Sequence, residues 1–169
     1  MVGRATRIAT IGVYGFDLEA FLAALNEADV GLVLDVRQRR GVRGSQYAWA
    51  NSKRLQSALL AGGIEYEHHR ELAPTTELRQ LQYREDDRLG VGKRSRVELA
   101  SSYRDRYIAE ILDRVDLGAL LAGLPSDGTS ALLCVERDPE ACHRSLIAER
   151  MAERFGVTVR HLRPPPSAS

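Results

Sequence analysis

Apolar runs and amphipathic stretches alternate along the chain. Arg7-Ile-Ala-Thr-Ile-Gly-Val13 is β-rich, and Asp17 stands where it can cap a helix carrying Leu18, Phe21, Leu22 and Leu25 at helical spacing. Val30 to Val36 is nearly continuous in apolar residues, the pattern of a parallel strand covered on both faces. A helix is predicted over 51–61, with Leu55, Leu59 and Leu60 on it and Gly62-Gly63 as its stop. Ile64 to His68 alternates as a third strand. From 71 to 102 the chain is polar, with Pro74, Gly90 and Gly92 interrupting any period, and reads as a lid or a mobile insertion.

Tyr103 to Val115 and Leu117 to Leu124 read as helices, and Ser130 to Glu136 as the central strand. Pro139 to Phe155 carries the clearest helix signals, with Asp138 at the N-cap, Pro139 at the first helical position and Gly156 beyond the end. Val157 to Leu162 closes the series as a last strand. This order predicts a three-layer α/β/α fold around a mostly parallel sheet of about five strands. A single α/β domain over 1–163 is expected, followed by a disordered Pro/Ser tail over 164–169.

Composition narrows the class without naming a partner. The chain has 169 residues, is 44% hydrophobic and carries a net charge of +1, so no global bias toward polyanions exists. No apolar run approaches the roughly 20 residues of a membrane span, and no secretory signal is visible. Cytoplasmic residence is expected, with two cysteines too few for a disulfide framework.

Those two cysteines lie close together, in Cys134-Val-Glu-Arg-Asp-Pro-Glu-Ala-Cys142-His143-Arg144. A strand delivers Cys134 to the C-terminal crest of the sheet, where ligand sites of such folds form, and a helix start holds the rest. A thiol near a helix N-terminus beside His143 and Arg144 is expected to gain thiolate character. Cys134 or Cys142 can then be the nucleophile, with His143 or Glu136 moving protons. The pair can also cycle through a disulfide. A zinc site on Cys134, Cys142 and His143 is the remaining alternative, needing a fourth ligand or water, with His68, His69 and His161 as candidate ligands. No other cofactor is expected.

A second group is Asp35-Val36-Arg37, followed by Arg39, Arg40 and Arg43, four arginines in seven residues. Arg37 at a strand end is expected to face Arg144 and favour a small anion, with Asp35 fixing their geometry. Arg39, Arg40 and Arg43 are candidate nucleic-acid contacts. Gly12 suggests close backbone approach, and Tyr14 an aromatic surface for a base or ring.

Thr10-Ile11-Gly12, Asp35-Val36-Arg37 and Leu133-Cys134 through Cys142-His143-Arg144-Ser145 together resemble the signature of the domain of unknown function 488 family. Gly63-Ile-Glu-Tyr66 and Glu71-Leu72 resemble it too, so the likeness runs from about Arg7 to Leu162. It implies a small α/β protein with its site at these motifs, and no defined reaction. Val13-Tyr14-Gly15, Gln38-Arg39-Arg40-Gly41 and Leu72-Ala73-Pro74 depart from the family's usual residues, so the ligand at these loops is expected to differ. Two functions follow as expectations. One is a cysteine-dependent hydrolase or transferase acting on a small anionic or nucleotide-like substrate. The other is a nucleic-acid-binding or repair-associated module with structural, metal-binding or redox-sensing cysteines. No membrane partner is expected, and the oligomeric state is left open.

Overall fold

A computed structural model describes residues 6–166. Five parallel strands form one sheet: β1 (Arg7–Ile11), β2 (Val30–Asp35), β3 (Glu65–His68), β4 (Thr129–Leu133) and β5 (Thr158–Leu162). Their order is β3-β2-β4-β1-β5, which puts β4 at the centre between β1 and β2. Every residue of β4 is buried, as a strand covered on both faces requires.

Strand alternation sorts the core into two layers. Ala9, Ile11, Val33, Ala131 and Leu133 face one side, where α1 (Leu18–Glu27) contributes Phe21 and Leu25 and α2 (Ser52–Ala61) contributes Leu55 and Leu59. Ile8, Leu32, Leu34 and Leu132 face the other. That face is covered by α3 (Thr76–Leu89), α4 (Ser101–Glu110), α5 (Leu117–Ala122) and α6 (His143–Phe155). Asp17 caps α1 as expected, accepting from the Ala20 amide at 2.8 Å.

Several helices differ from expectation; the one expected over 103–115 ends at Glu110 and passes into a 3-10 turn at Leu112–Arg114. The stretch over 71–102 is not irregular throughout: α3 occupies its middle, capped by Thr75 and ended by Gly90 in the left-handed region at φ 71°. Pro74 and Gly90 therefore bound a helix rather than interrupt one. The helix starting at Pro139 is also split. Pro139–Ala141 form a single 3-10 turn, Cys142 returns to extended backbone, and α6 starts at His143 with Cys142 as its N-cap residue. Asp138 makes no side-chain capping bond.

Of the expected tail, Pro164 is buried and packs beside Gly15, while 167–169 lie outside the described residues. Residues 1–5 of the expected domain are likewise outside them. Among the described residues, no helix is long and apolar enough to cross a membrane.

Candidate active site

Beyond Leu133 the chain of β4 continues between its neighbours. The Cys134 amide donates to the Ile11 carbonyl at 3.1 Å, while the Val135 carbonyl accepts from Val13 and Tyr14 at 3.0 Å. This fixes Cys134 and Glu136 at the crest. The loop to α6 then returns Cys142 and His143 beside them, so that both sulfurs and His143 Nδ1 lie within 4.8 Å of one another. Both thiols are free.

His143 has one hydrogen-bonding arrangement open to it. Its Nε2 lies 2.8 Å from the Val36 carbonyl oxygen, which can only accept, so Nε2 carries a hydrogen. In the neutral ring Nδ1 is then a bare lone pair, 3.6 Å from Cys134 Sγ and 3.8 Å from Cys142 Sγ. Tyr107 packs against the ring at a centroid distance of 5.4 Å, and its own hydroxyl donates to the Leu72 carbonyl at 2.6 Å.

The thiols separate electrostatically. Burial opposes ionisation of Cys142, but hydrogen bonding from Cys134 and the positive charges of His143 and Arg144 outweigh it, holding this thiol well below its ordinary pKa. Burial pushes the Cys134 thiol well up, and the hydrogen bond to and charge of Cys142 push it further. Burial disfavours the His143 imidazolium, yet the adjacent Cys142 thiolate raises its pKa overall. Burial, then the Cys142 charge, raises Glu136 as well. These shifts favour ionisation of Cys142 over Cys134 and favour a charged His143 beside it, with the proton affinity of Glu136 raised.

These groups form the floor of a solvent-open cleft whose cavity volume is about 50 Å³. Arg37, Arg39, Arg79, Lys93 and Arg96 also line it, with Glu136 the one acidic liner. Asp35 and Asp86 neutralise two of the cations from behind. Arg37 donates Nε and Nη2 to the two carboxylate oxygens of Asp35 at 2.9 and 2.8 Å, and Nη1 to the Ala50 carbonyl at 2.9 Å. Arg96 donates to Asp86 at 2.7 Å, to Glu136 at 3.3 Å and to the Ala141 carbonyl at 3.1 Å. Arg39, Arg79 and Lys93 remain as the anion-attracting excess; Arg79 donates to Gln38 and Tyr83, not to a carboxylate. For Lys93, burial opposes the charge but Glu136 and Tyr83 raise its pKa.

The sequence-derived candidates fall into three groups. Cys134, Glu136, Cys142, His143, Arg37 and Arg39 line the cavity. Asp35, Gly12 and Arg144 support it from behind. Arg144 is fully buried and donates to the carbonyls of Glu136 at 2.7 Å and Arg137 at 3.2 Å, which pins the loop between the cysteines. A Cβ on Gly12 would stand 1.9 Å from that Glu136 oxygen, so only glycine admits the approach. Tyr14, Arg40 and Arg43 lie outside the cavity lining. Tyr14 meets Tyr47 at 5.2 Å, with the Arg94 guanidinium over both rings. Arg40 reaches Tyr66 at 3.4 Å, and Arg43 is exposed and gives its carbonyl to Arg94.

None of the histidines considered as a fourth metal ligand joins the cluster. His68 Nε2 meets the Arg37 carbonyl, His69 sits between Glu67 and Glu71, and His161 Nδ1 meets the Thr10 hydroxyl. Sequence reasoning missed Arg79, Gln82, Tyr83 and Tyr103 as liners. A signal existed for one of them: Leu78, Gln82 and Asp86 recur at a spacing of four and form the buried stripe of α3.

A family model described as "Domain of unknown function DUF488" matches residues 17–151. The match takes in Asp35-Val36-Arg37 and the whole segment from Cys134 to Ser145. No curated protein and no solved structure matches the chain.

Proposed function

The chain belongs to the DUF488 family, whose description names no reaction, and we propose from the site itself that this protein is a cysteine-dependent hydrolase or transferase acting on a small anionic or nucleotide-like substrate. The observation that carries the reading is the Val36–His143 contact at 2.8 Å, which aims Nδ1 at both sulfurs on the floor of a cation-rich cavity. Cys142 attacks as the thiolate, paired with the His143 imidazolium. The His143 imidazolium supplies the proton that the leaving group takes, while Glu136 accepts hydrogen bonds from the Cys134 thiol and from Arg96. Arg39, Arg79 and Lys93 draw the anion to the mouth, with Arg37 and Arg144 holding the loops in place.

The reading requires a reducing compartment, the cytoplasm, because two adjacent free thiols oxidise elsewhere. Its test is protection. Inorganic phosphate, pyrophosphate and nucleoside monophosphates are screened for slowing iodoacetamide modification of Cys142. Saturable protection that weakens in Arg79→Gln supports the reading. Modification insensitive to every anion tested counts against it.

A nucleic-acid partner is the second reading, favoured by the Arg94–Tyr14–Tyr47 cluster beside the exposed Arg43. Such cation–aromatic surfaces bind single strands by stacking. Salt-dependent binding of a fluorescent oligonucleotide, lost in Tyr47→Ala, tests it.

A further inference from the structure

We propose that Cys134, Cys142 and His143 form a three-ligand site for zinc, and that its occupation switches the thiol chemistry off. The metal site stands on geometry independent of the reaction; its inhibitory consequence rests on the thiol reading above.

A tetrahedral zinc ion with Zn–S near 2.3 Å and Zn–N near 2.05 Å sets S···N edges of about 3.6 Å. The cluster offers 3.6 and 3.8 Å for its two S···N pairs, with all three donor atoms within 4.8 Å. Binding needs only a small closing movement of the sulfurs. The imidazole is already oriented for it. Metal-bound histidines usually donate their other N–H to a carbonyl or carboxylate, which fixes the ring and its tautomer. Val36 does this for His143, leaving the Nδ1 lone pair as the donor.

Two sulfurs and one imidazole suit zinc among the common divalent cations, while oxygen-seeking magnesium and calcium are poorly served. Because no further histidine reaches the cluster, the fourth position falls to water or to an anion from the cavity. Glu136, 3.4 Å from Cys134 Sγ, lines that same space.

The exchange balances without redox chemistry. Zinc accepts lone pairs from both thiolates and from Nδ1, and the protons these atoms carried pass to solvent. The sulfur lone pair that attacks substrate is then the one bound to the metal, so the two uses of Cys142 exclude each other.

The test uses the full chain, stripped with a chelator and titrated with zinc chloride against a chromophoric competitor. One equivalent is expected to bind, with Cys134→Ser and Cys142→Ser each weakening affinity on the order of a hundredfold or more. In the same samples stoichiometric zinc should stop iodoacetamide modification of both thiols, and chelator should restore it. Cobalt(II) gives a second readout that needs no variant, through the intense visible bands of a tetrahedral thiolate site. Substoichiometric binding, or binding unaffected by either serine, overturns the site. Zinc bound with alkylation unchanged overturns the switch. Serine-sensitive zinc binding to a protein whose metal-free Cys142 shows no selective reactivity supports the site and counts against the thiol enzyme instead.

Discussion

Arg96 joins Asp86 to Glu136: one guanidinium donates to the first at 2.7 Å and to the second at 3.3 Å. The polar stretch between β3 and α4 is thereby locked onto the cysteine floor. Its helix and loop form a wall of the cavity, with Gln82 Oε1 accepting from the Ala100 amide at 3.0 Å and the Leu99 amide donating to the Glu140 carbonyl at 3.1 Å.

That lock has a testable cost. Asp86→Ala leaves the Arg96 guanidinium, 5% exposed, with Glu136 as its one remaining carboxylate, and should destabilise the protein by about 3 kcal/mol in urea unfolding. Asp113→Ala removes the partner of Arg150 from a half-exposed pair and should cost less than about 1 kcal/mol. Equal effects would show that the wall is not held by burial of its ion pair.

Close approach at Gly12 predicts a second contrast. Gly12→Ala puts a methyl into the Glu136 carbonyl and within 3.2 Å of the Arg144 Nη1 that holds it, and should cost about 3 kcal/mol or prevent folding. Gly31→Ala, with nothing within 4 Å of its new Cβ, should stay within about 0.5 kcal/mol. Thermal melts of the two variants separate the cases.

The strands and most of the helices were legible because burial on both faces writes continuous apolar runs into β1, β2 and β4. The cysteine motif stood out because unusual chemistry was concentrated in one loop. α3 was illegible for the opposite reason: it buries Gln82 and Asp86, and their partners lie far along the chain at Ala100 and Arg96. Burial by hydrogen bonding leaves no hydrophobic period. The roles of Arg37 and Arg144 were hidden similarly. Each meets backbone carbonyls, of Ala50 and of Glu136 and Arg137, and a carbonyl carries no residue signature.

A pH-linked contribution comes from His69. Burial disfavours its charged form, but the hydrogen bonds its ring donates to Glu71 at 2.6 Å and Glu67 at 2.8 Å outweigh it and raise its pKa. With the folded value above the unfolded one of about 6.5, its stabilisation is full below that value and fades as pH rises through the folded pKa. Both glutamates are half-exposed, so the gain stays below about 1 kcal/mol. In NMR titration the His69 ring should keep its proton to higher pH than in Glu67→Gln/Glu71→Gln; coincident curves would remove the ion pairs from the account.

Tyr107 predicts a stability loss next to the site. Tyr107→Phe strands the buried Leu72 carbonyl and should cost about 1–2 kcal/mol, with the ring still packed against His143. Urea unfolding gives the magnitude, and an unchanged midpoint would mean the hydroxyl is replaceable by water.

The central claim is that the two thiols differ and that Cys142 is the reactive one. Metal-free reduced protein is treated with limiting iodoacetamide at pH 7, and peptide mass analysis measures modification at each cysteine. Cys142 should react at least about tenfold faster than Cys134, and His143→Gln should abolish the difference. Equal rates, faster reaction at Cys134, or a preference that survives His143→Gln would contradict the account.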